Sequence, residues 1–171
     1  MTRNLGPFSF EAWIRDTRLA DDAGRIIFSK QAMQLSVQTA QTVKFKVDHD
    51  SNDLEIESSQ LWPFDATVWV RIGFTWDGSG TAPAASFFRD ENPSPPIASL
   101  AATGARDSDA ESDFVIGNNF DVPLGSGKNL VADLDEIRIS NVARSSDWMR
   151  AQYLSQLGSE LSFGTVEVVE P

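Results

Sequence analysis

The chain has 171 residues, 41% of them hydrophobic, which suits one domain of ordinary size, residues 1–171, with a full core. Its 25 acidic against 14 basic residues leave a formal charge of -11, which repels phosphate backbones and anionic membranes and argues against a nucleic-acid partner. The lack of cysteine excludes a disulfide scaffold and a thiolate metal site, and no window approaches the ~20 apolar residues of a membrane span. The first apolar run, residues 8–14, is broken by Ser9 and Glu11 and so reads as no signal peptide.

Residues 8–15 alternate Phe8, Phe10, Ala12 and Ile14 with Ser9, Glu11, Trp13 and Arg15, the period of a strand with one buried face. Short β-rich runs follow at 25–29 and 34–38, then alternating strands at 43–48 and 54–58 around a hairpin tip, His49-Asp50-Ser51-Asn52-Asp53. Residues 67–76 form a long aromatic and β-branched strand stopped by Asp77-Gly78-Ser79-Gly80, and 84–89 pair back. Asn92-Pro93-Ser94-Pro95-Pro96 reads as a loop, because proline cannot join a central ladder. A strand at 114–116 ends at Gly117. Another, at 131–139, runs into a helix at 146–154, with Ser145 or Ser146 as N-cap and Asp147 in the first turn. Residues 166–169 give a last strand. Roughly ten closely spaced strands with one helix argue for an all-β, antiparallel two-sheet sandwich.

Four motifs, in order, carry a family resemblance. Phe8-Ser9-Phe10-Glu11-Ala12-Trp13-Ile14 opens it, and Trp69-Val70-Arg71-Ile72-Gly73-Phe74-Thr75-Trp76-Asp77-Gly78 follows. Phe114-Val115-Ile116-Gly117-Asn118 gives an Ile-Gly step into a loop; Asp135-Glu136-Ile137-Arg138-Ile139, Asn141-Val142-Ala143-Arg144 and the Trp148 to Tyr153 segment close the series. Together they resemble the laminin-G-like, concanavalin A-like jelly-roll sandwiches of lectins and glucanases. Phe87-Phe88-Arg89-Asp90 departs from the family's turn, with Glu91 in the place of a glycine. The family's further strand ahead of the Phe8 segment has only seven residues of room here; either residues 164–170 supply that partner or the chain goes without it. Periodicity and resemblance together predict that Trp13, Trp69, Phe74, Ile137 and Ile139 are largely buried.

Glucanases of this fold set Glu-x-Asp-x-Glu on one strand so that nucleophile and acid share a face. Here Asp133-Leu134-Asp135-Glu136-Ile137 places Ile137 where the acid belongs, and strict alternation turns Glu136 to the opposite face. Glu55 and Glu57 share a face but read as hairpin solubility, and the single histidine, His49, has no nucleophile constellation around it. The expectation is therefore no catalysis.

Calcium is the cofactor to consider, since it needs six to eight oxygens. Asp48, Asp50 and Asn52 have the alternating spacing of a calcium loop, but Asp53 and Ser59 replace the glycine and glutamate of an EF-hand, and Asx-turn hydrogen bonds explain the same residues. In the family, calcium sits on rim loops, which points to Asn118, Asn119 and Asp121, with Asp107 or Asp109. Rings in loops are the other sign of a site, because sugar C–H faces stack on them. Trp62 and Phe64, and Phe120 beside Asn118 and Asn119, fall in predicted loops, while Trp13, Trp69 and Trp148 are assigned to the core.

The resulting expectation is a non-catalytic recognition or adhesion module that meets a glycan or protein surface through rim loops. That role implies an extracellular or cell-surface setting within a longer secreted chain. The alternative is a structural subunit of a larger assembly, a homo-oligomer or a phage decoration or fibre protein on a particle surface.

Overall fold

Strand β1 (Phe8–Asp16) lies at the centre of the architecture because both of its flanks find antiparallel partners. The structure, a computed structural model, describes residues 4–16, 25–38, 41–59, 62, 66–81, 84–119 and 129–158. The strand expected at 166–169 lies outside them, as do Phe64, Phe120 and Asp121.

Along the chain, β2 (Arg25–Lys30), β3 (Met33–Val37), β4 (Val43–Val47) and β5 (Leu54–Ser58) form consecutive antiparallel pairs. Then come β6 (Val70–Trp76), β7 (Ala85–Arg89), β8 (Asn92–Ser94), β9 (Pro96–Leu100), β10 (Val115–Ile116), β11 (Ala132–Ser140) and helix α1 (Ser146–Gln156). They build a five-stranded sheet in the order β11-β1-β6-β7-β8 and a six-stranded sheet in the order β10-β2-β3-β4-β5-β9. The all-β, antiparallel two-sheet sandwich, with one helix near the C-terminal end among the described residues, is thus the observed fold. Among the described residues no helix is long and apolar enough to cross a membrane.

The alternation in β1 sends Phe8, Phe10, Ala12 and Ile14 into the space between the sheets, where all are at most 1% exposed. Rings from both sheets meet there. Phe8 and Phe10 lie 5.6 and 5.0 Å from Phe28, and Phe45 of β4 lies 4.5 Å from Phe74 of β6. Tilted and edge contacts of this kind favour the ring quadrupoles as well as burying apolar area.

Two local features depart from expectation. The proline-rich segment is not all loop: Pro93 lies in β8 and Pro96 in β9, each the terminal strand of its sheet as described. A missing N–H costs no ladder bond when it faces away from the neighbour, so proline is tolerated there. The β7–β8 hairpin also forms without glycine, because Asp90 itself takes the left-handed conformation at φ 57, which aspartate tolerates better than most residues.

Burial departs too. Phe74 is in the core as expected, but Trp69, Ile137 and Ile139 are 37%, 40% and 48% exposed, and Trp13 is half-buried. Trp13 lies on the outer face because it is out of phase with Phe10 and Ile14. The two isoleucines belong to β11, the terminal strand of its sheet, where core packing is incomplete. Helix α1 has the expected start: the Ser145 side chain accepts from the Trp148 N–H, and Asp147 sits in the first turn.

Candidate functional site

The outer face of the five-stranded sheet is arranged in rows across β11, β1 and β6. Asp133 faces Arg15, Asp135 faces Trp13, which faces Arg71, and Arg138 faces Glu11, which faces Gly73. Arg15 donates to Asp133 at 2.7 and 3.0 Å, and its guanidinium lies 4.9 Å from the Trp69 ring.

Helix α1 covers the Glu11–Arg71–Gly73 part of this face. A side chain at position 73 would put its Cβ a tight 3.1 Å from Phe88 Cβ and in ordinary contact, 3.5 Å, with Met149 Sδ, so glycine spares Phe88 while Met149 packs over this position fully buried. Beneath the helix, Arg71 is fully buried and ion-paired with Glu11, which is 2% exposed. Arg71 also donates to the Asp90 carbonyl at 2.9 Å, and its backbone N–H reaches Asp90 Oδ1 at 3.1 Å. Burial raises the Asp90 carboxyl above its ordinary value against the opposing pull of that N–H bond.

Where the helix ends, the sheet is left open and a groove of about 460 Å³ begins. Trp13 and Trp69 form its apolar part, and Asp135, Glu136, Arg138 and Gln156 its polar part. Trp13 is fixed on two sides: its ring stacks on Tyr153 at 5.8 Å and its Nε1 donates to Gln156 Oε1 at 2.9 Å.

The polar wall comes from a bulge. Three residues of β1, Glu11 to Trp13, oppose four of β11, Arg138 to Asp135, and Glu136 takes φ 50. The extra residue breaks the two-residue period, so Asp135, Glu136 and Arg138 all line the groove. Strict alternation had turned Glu136 away; the bulge overturns that expectation. Arg138 donates to Glu136 at 2.6 Å and to Gln152 at 2.7 Å, and Asp135 Oδ1 accepts the Glu136 N–H at 2.8 Å.

The residues expected to form the site lie elsewhere. Trp62 is fully buried in the core, with its Nε1 donating to Ser58 Oγ at 3.0 Å, so it presents no ring to a ligand. Asn118 and Asn119 follow β10 and are half-buried; the Asn118 carbonyl accepts from Ser29 at 2.9 Å. Phe64, Phe120 and Asp121 lie outside the described residues.

In the hairpin tip, Lys46 donates to both Asp48 and Asp53 at 2.8 Å, while Asn52 donates to Thr103 at 2.7 Å and Asp50 is exposed. An ammonium closes this turn. Asp109 is fully buried: its carboxylate accepts the Leu5 N–H and pairs with Arg106 at 2.8 Å, while Asp107 is exposed. Among the described residues no three histidine, aspartate or glutamate side chains converge as a metal site. Glu55 pairs with Lys44 at 2.6 Å and Glu57 accepts from Thr42, while His49 Nδ1 lies 3.1 Å from the Val47 carbonyl.

The Lys46 cluster carries a pH signature. Burial works against the Lys46 ammonium, but its hydrogen bonds to Asp48 and Asp53 prevail and raise its pKa. The Lys46 hydrogen bond in turn holds Asp53 below its ordinary value of 3.8. A lowered carboxylate stabilises the fold above its unfolded pKa, and this contribution is lost as the pH falls through the folded value. The Asp53→Asn variant is expected to lose up to about 1 kcal/mol at neutral pH. Its stability, followed by chemical denaturation, should converge with wild type in acid below that window.

The sequence held one signal for the groove. The alternation that buries Phe10 and Ile14 places Trp13 outward with Glu11 and Arg15. The bulge at Glu136 and the seat of α1 had no such signal.

Among solved structures, the chain resembles the binding domain of Paraclostridial Mosquitocidal Protein 1, with TM-score 0.60 and 14% identity over 91% of this chain and 38% of that one. It also resembles a candidate carbohydrate-binding protein from Bacteroides ovatus, with TM-score 0.58 and 13% identity over 86% and 40%. A sialidase from Trypanosoma rangeli gives TM-score 0.57 and 13% identity over 88% and 23%. The chain spans about two fifths of the first two and about a quarter of the third. At such identities the likeness is one of fold. No curated protein matches the sequence. The family model described as the concanavalin A-like lectin/glucanases superfamily, of the laminin G type, matches residues 2–149, and the chain belongs to that family.

Proposed function

We propose that the protein is a non-catalytic, lectin-like recognition module that holds a glycan in the groove between Trp13 and Trp69. The observation that carries this reading is the pairing of two partly exposed indoles with carboxylate, guanidinium and amide groups in about 460 Å³. That volume is within the range of small-molecule sites, and the composition suits a pyranose, whose C–H face stacks on a ring while its hydroxyls seek polar partners. The family, together with a binding domain and a candidate carbohydrate-binding protein among the structural relatives, supports the same reading.

Two features of the groove's carboxylate strand support the non-catalytic part of this reading. Ile137 stands where glucanases of this fold set an acid, and Glu136 is engaged by Arg138 at 2.6 Å. Such a module belongs outside the cell or on its surface.

Trp69 is the residue to test, because Trp13 also anchors α1. On a glycan found by array, Trp69→Ala should weaken binding by about 1 kcal/mol, roughly fivefold, with an unchanged melting temperature. Loss of affinity in Phe64→Ala or Phe120→Ala, with Trp69→Ala silent, would place the ligand on the rim loops. Titration with and without chelator tests a calcium contribution through Asn118, Asn119 and Asp121. Release of reducing sugar by the purified protein would overturn the non-catalytic reading.

A further inference from the structure

We infer that the groove selects for a protonated amine on the sugar, with Asp135 as its counter-ion, so that 2-amino-2-deoxy sugars bind more tightly than their N-acetylated or acidic equivalents. This rests on the glycan reading of the groove.

The charges at the groove are Asp135, Glu136 and Arg138, with Arg15 and Asp133 adjoining. Both cations are engaged: Arg15 pairs with Asp133 at 2.7 Å, and Arg138 is held by Glu136 and Gln152 at 2.6 and 2.7 Å. Asp135 is the charge left over. Its Oδ1 accepts the neighbouring N–H of Glu136, and among the described residues no cation pairs with it.

The end of α1 adds to this imbalance. Ser155 and Gln156 form part of the groove wall, and the last turn carries no basic residue, so the helix C-terminus brings partial negative charge and no cation of its own to the groove. An anionic sugar would have to displace Glu136 or Asp133 from a guanidinium while meeting Asp135 and the helix end.

The indoles point the same way, because the face of a tryptophan attracts a cation. Trp69 already has the Arg15 guanidinium 4.9 Å from its ring centre. A ligand ammonium between such rings and Asp135 gains both attractions, and acetylation removes both by neutralising the nitrogen. The chain's formal charge of -11 favours the approach of the same ligands.

Calorimetric titration of the whole chain tests this with a β-1,4-linked glucosamine tetramer, the N-acetylglucosamine tetramer, a sialylated trisaccharide and a lysine tetrapeptide. The glucosamine tetramer should bind roughly three- to tenfold more tightly than its N-acetylated form, and the sialylated sugar more weakly than either. High salt should narrow the difference by screening. Asp135→Asn keeps the acceptor for the Glu136 N–H and should abolish the preference, the glucosamine tetramer falling to the affinity of its N-acetylated form. Equal or tighter binding of the N-acetylated tetramer by wild type, or a preference that survives in Asp135→Asn, would overturn the inference and leave the glycan reading standing. Binding of the lysine peptide as tightly as the glucosamine tetramer would overturn selection of a sugar amine. Failure of every saccharide to bind would overturn the glycan reading and this inference together.

Discussion

Trp62→Ala is expected to destabilise the fold by about 3–5 kcal/mol, the usual cost of removing a large buried aromatic side chain. The ring is fully buried in the core, and its Nε1 hydrogen bond goes to Ser58 Oγ, which also accepts the Val43 N–H at 2.9 Å. Substitution therefore opens a cavity and loosens the hydroxyl that ties the start of β4 to the end of β5. For a chain of this length a loss of that size lowers the melting temperature by on the order of 10 °C. Calorimetry or denaturant unfolding reads it directly. A variant as stable as wild type, with ligand affinity reduced, would return Trp62 to the surface role that its sequence context suggests. Trp62→Phe should recover most of the packing and is the control for the indole hydrogen bond.

Arg71→Ala is expected to cost about 3–5 kcal/mol as well, for an electrostatic reason. The guanidinium is fully buried under α1, where Glu11 depends on it for charge compensation and the Asp90 carbonyl for a hydrogen bond. Removing it leaves a carboxylate 2% exposed with its counter-ion gone. The double replacement Glu11→Met with Arg71→Met should be much less harmful than Arg71→Ala alone, because an apolar pair of similar volume removes the uncompensated charge. The difference, taken through a double-mutant cycle, gives the coupling of the pair. A double variant as unstable as Arg71→Ala would show that the cost lies in lost packing around Met149 and Tyr153 instead.

Both variants concern residues that a reading of strands places differently from the structure. Trp62 stands among Gln60, Pro63 and Asp65, a composition that marks a loop, and loop rings often face solvent. Its burial depends on a space between the Gln41 turn and the end of β5 that exists only once the hairpin has formed. Trp69 shows the converse. A tryptophan entering a β-branched run looks like core, but Val70 turns inward and Trp69 remains partly exposed beneath Arg15.

The sequence by itself determined the class of fold, because a two-residue period at short spacing admits little else, and the four ordered motifs pointed to the family. It also determined the helix, since Ser145 and Asp147 act within one turn of where they stand. Three matters were decided by tertiary structure alone. The bulge at Glu136 arises from the pairing of β11 with β1 and reverses the facing of the residue on which the catalytic question turned. The Glu11–Arg71 pair joins positions 60 residues apart, which periodicity within a strand cannot relate. The groove exists because α1 covers one part of the outer sheet face and ends before Trp69; strand alternation says which side chains point outward, and only packing says which of them stay uncovered.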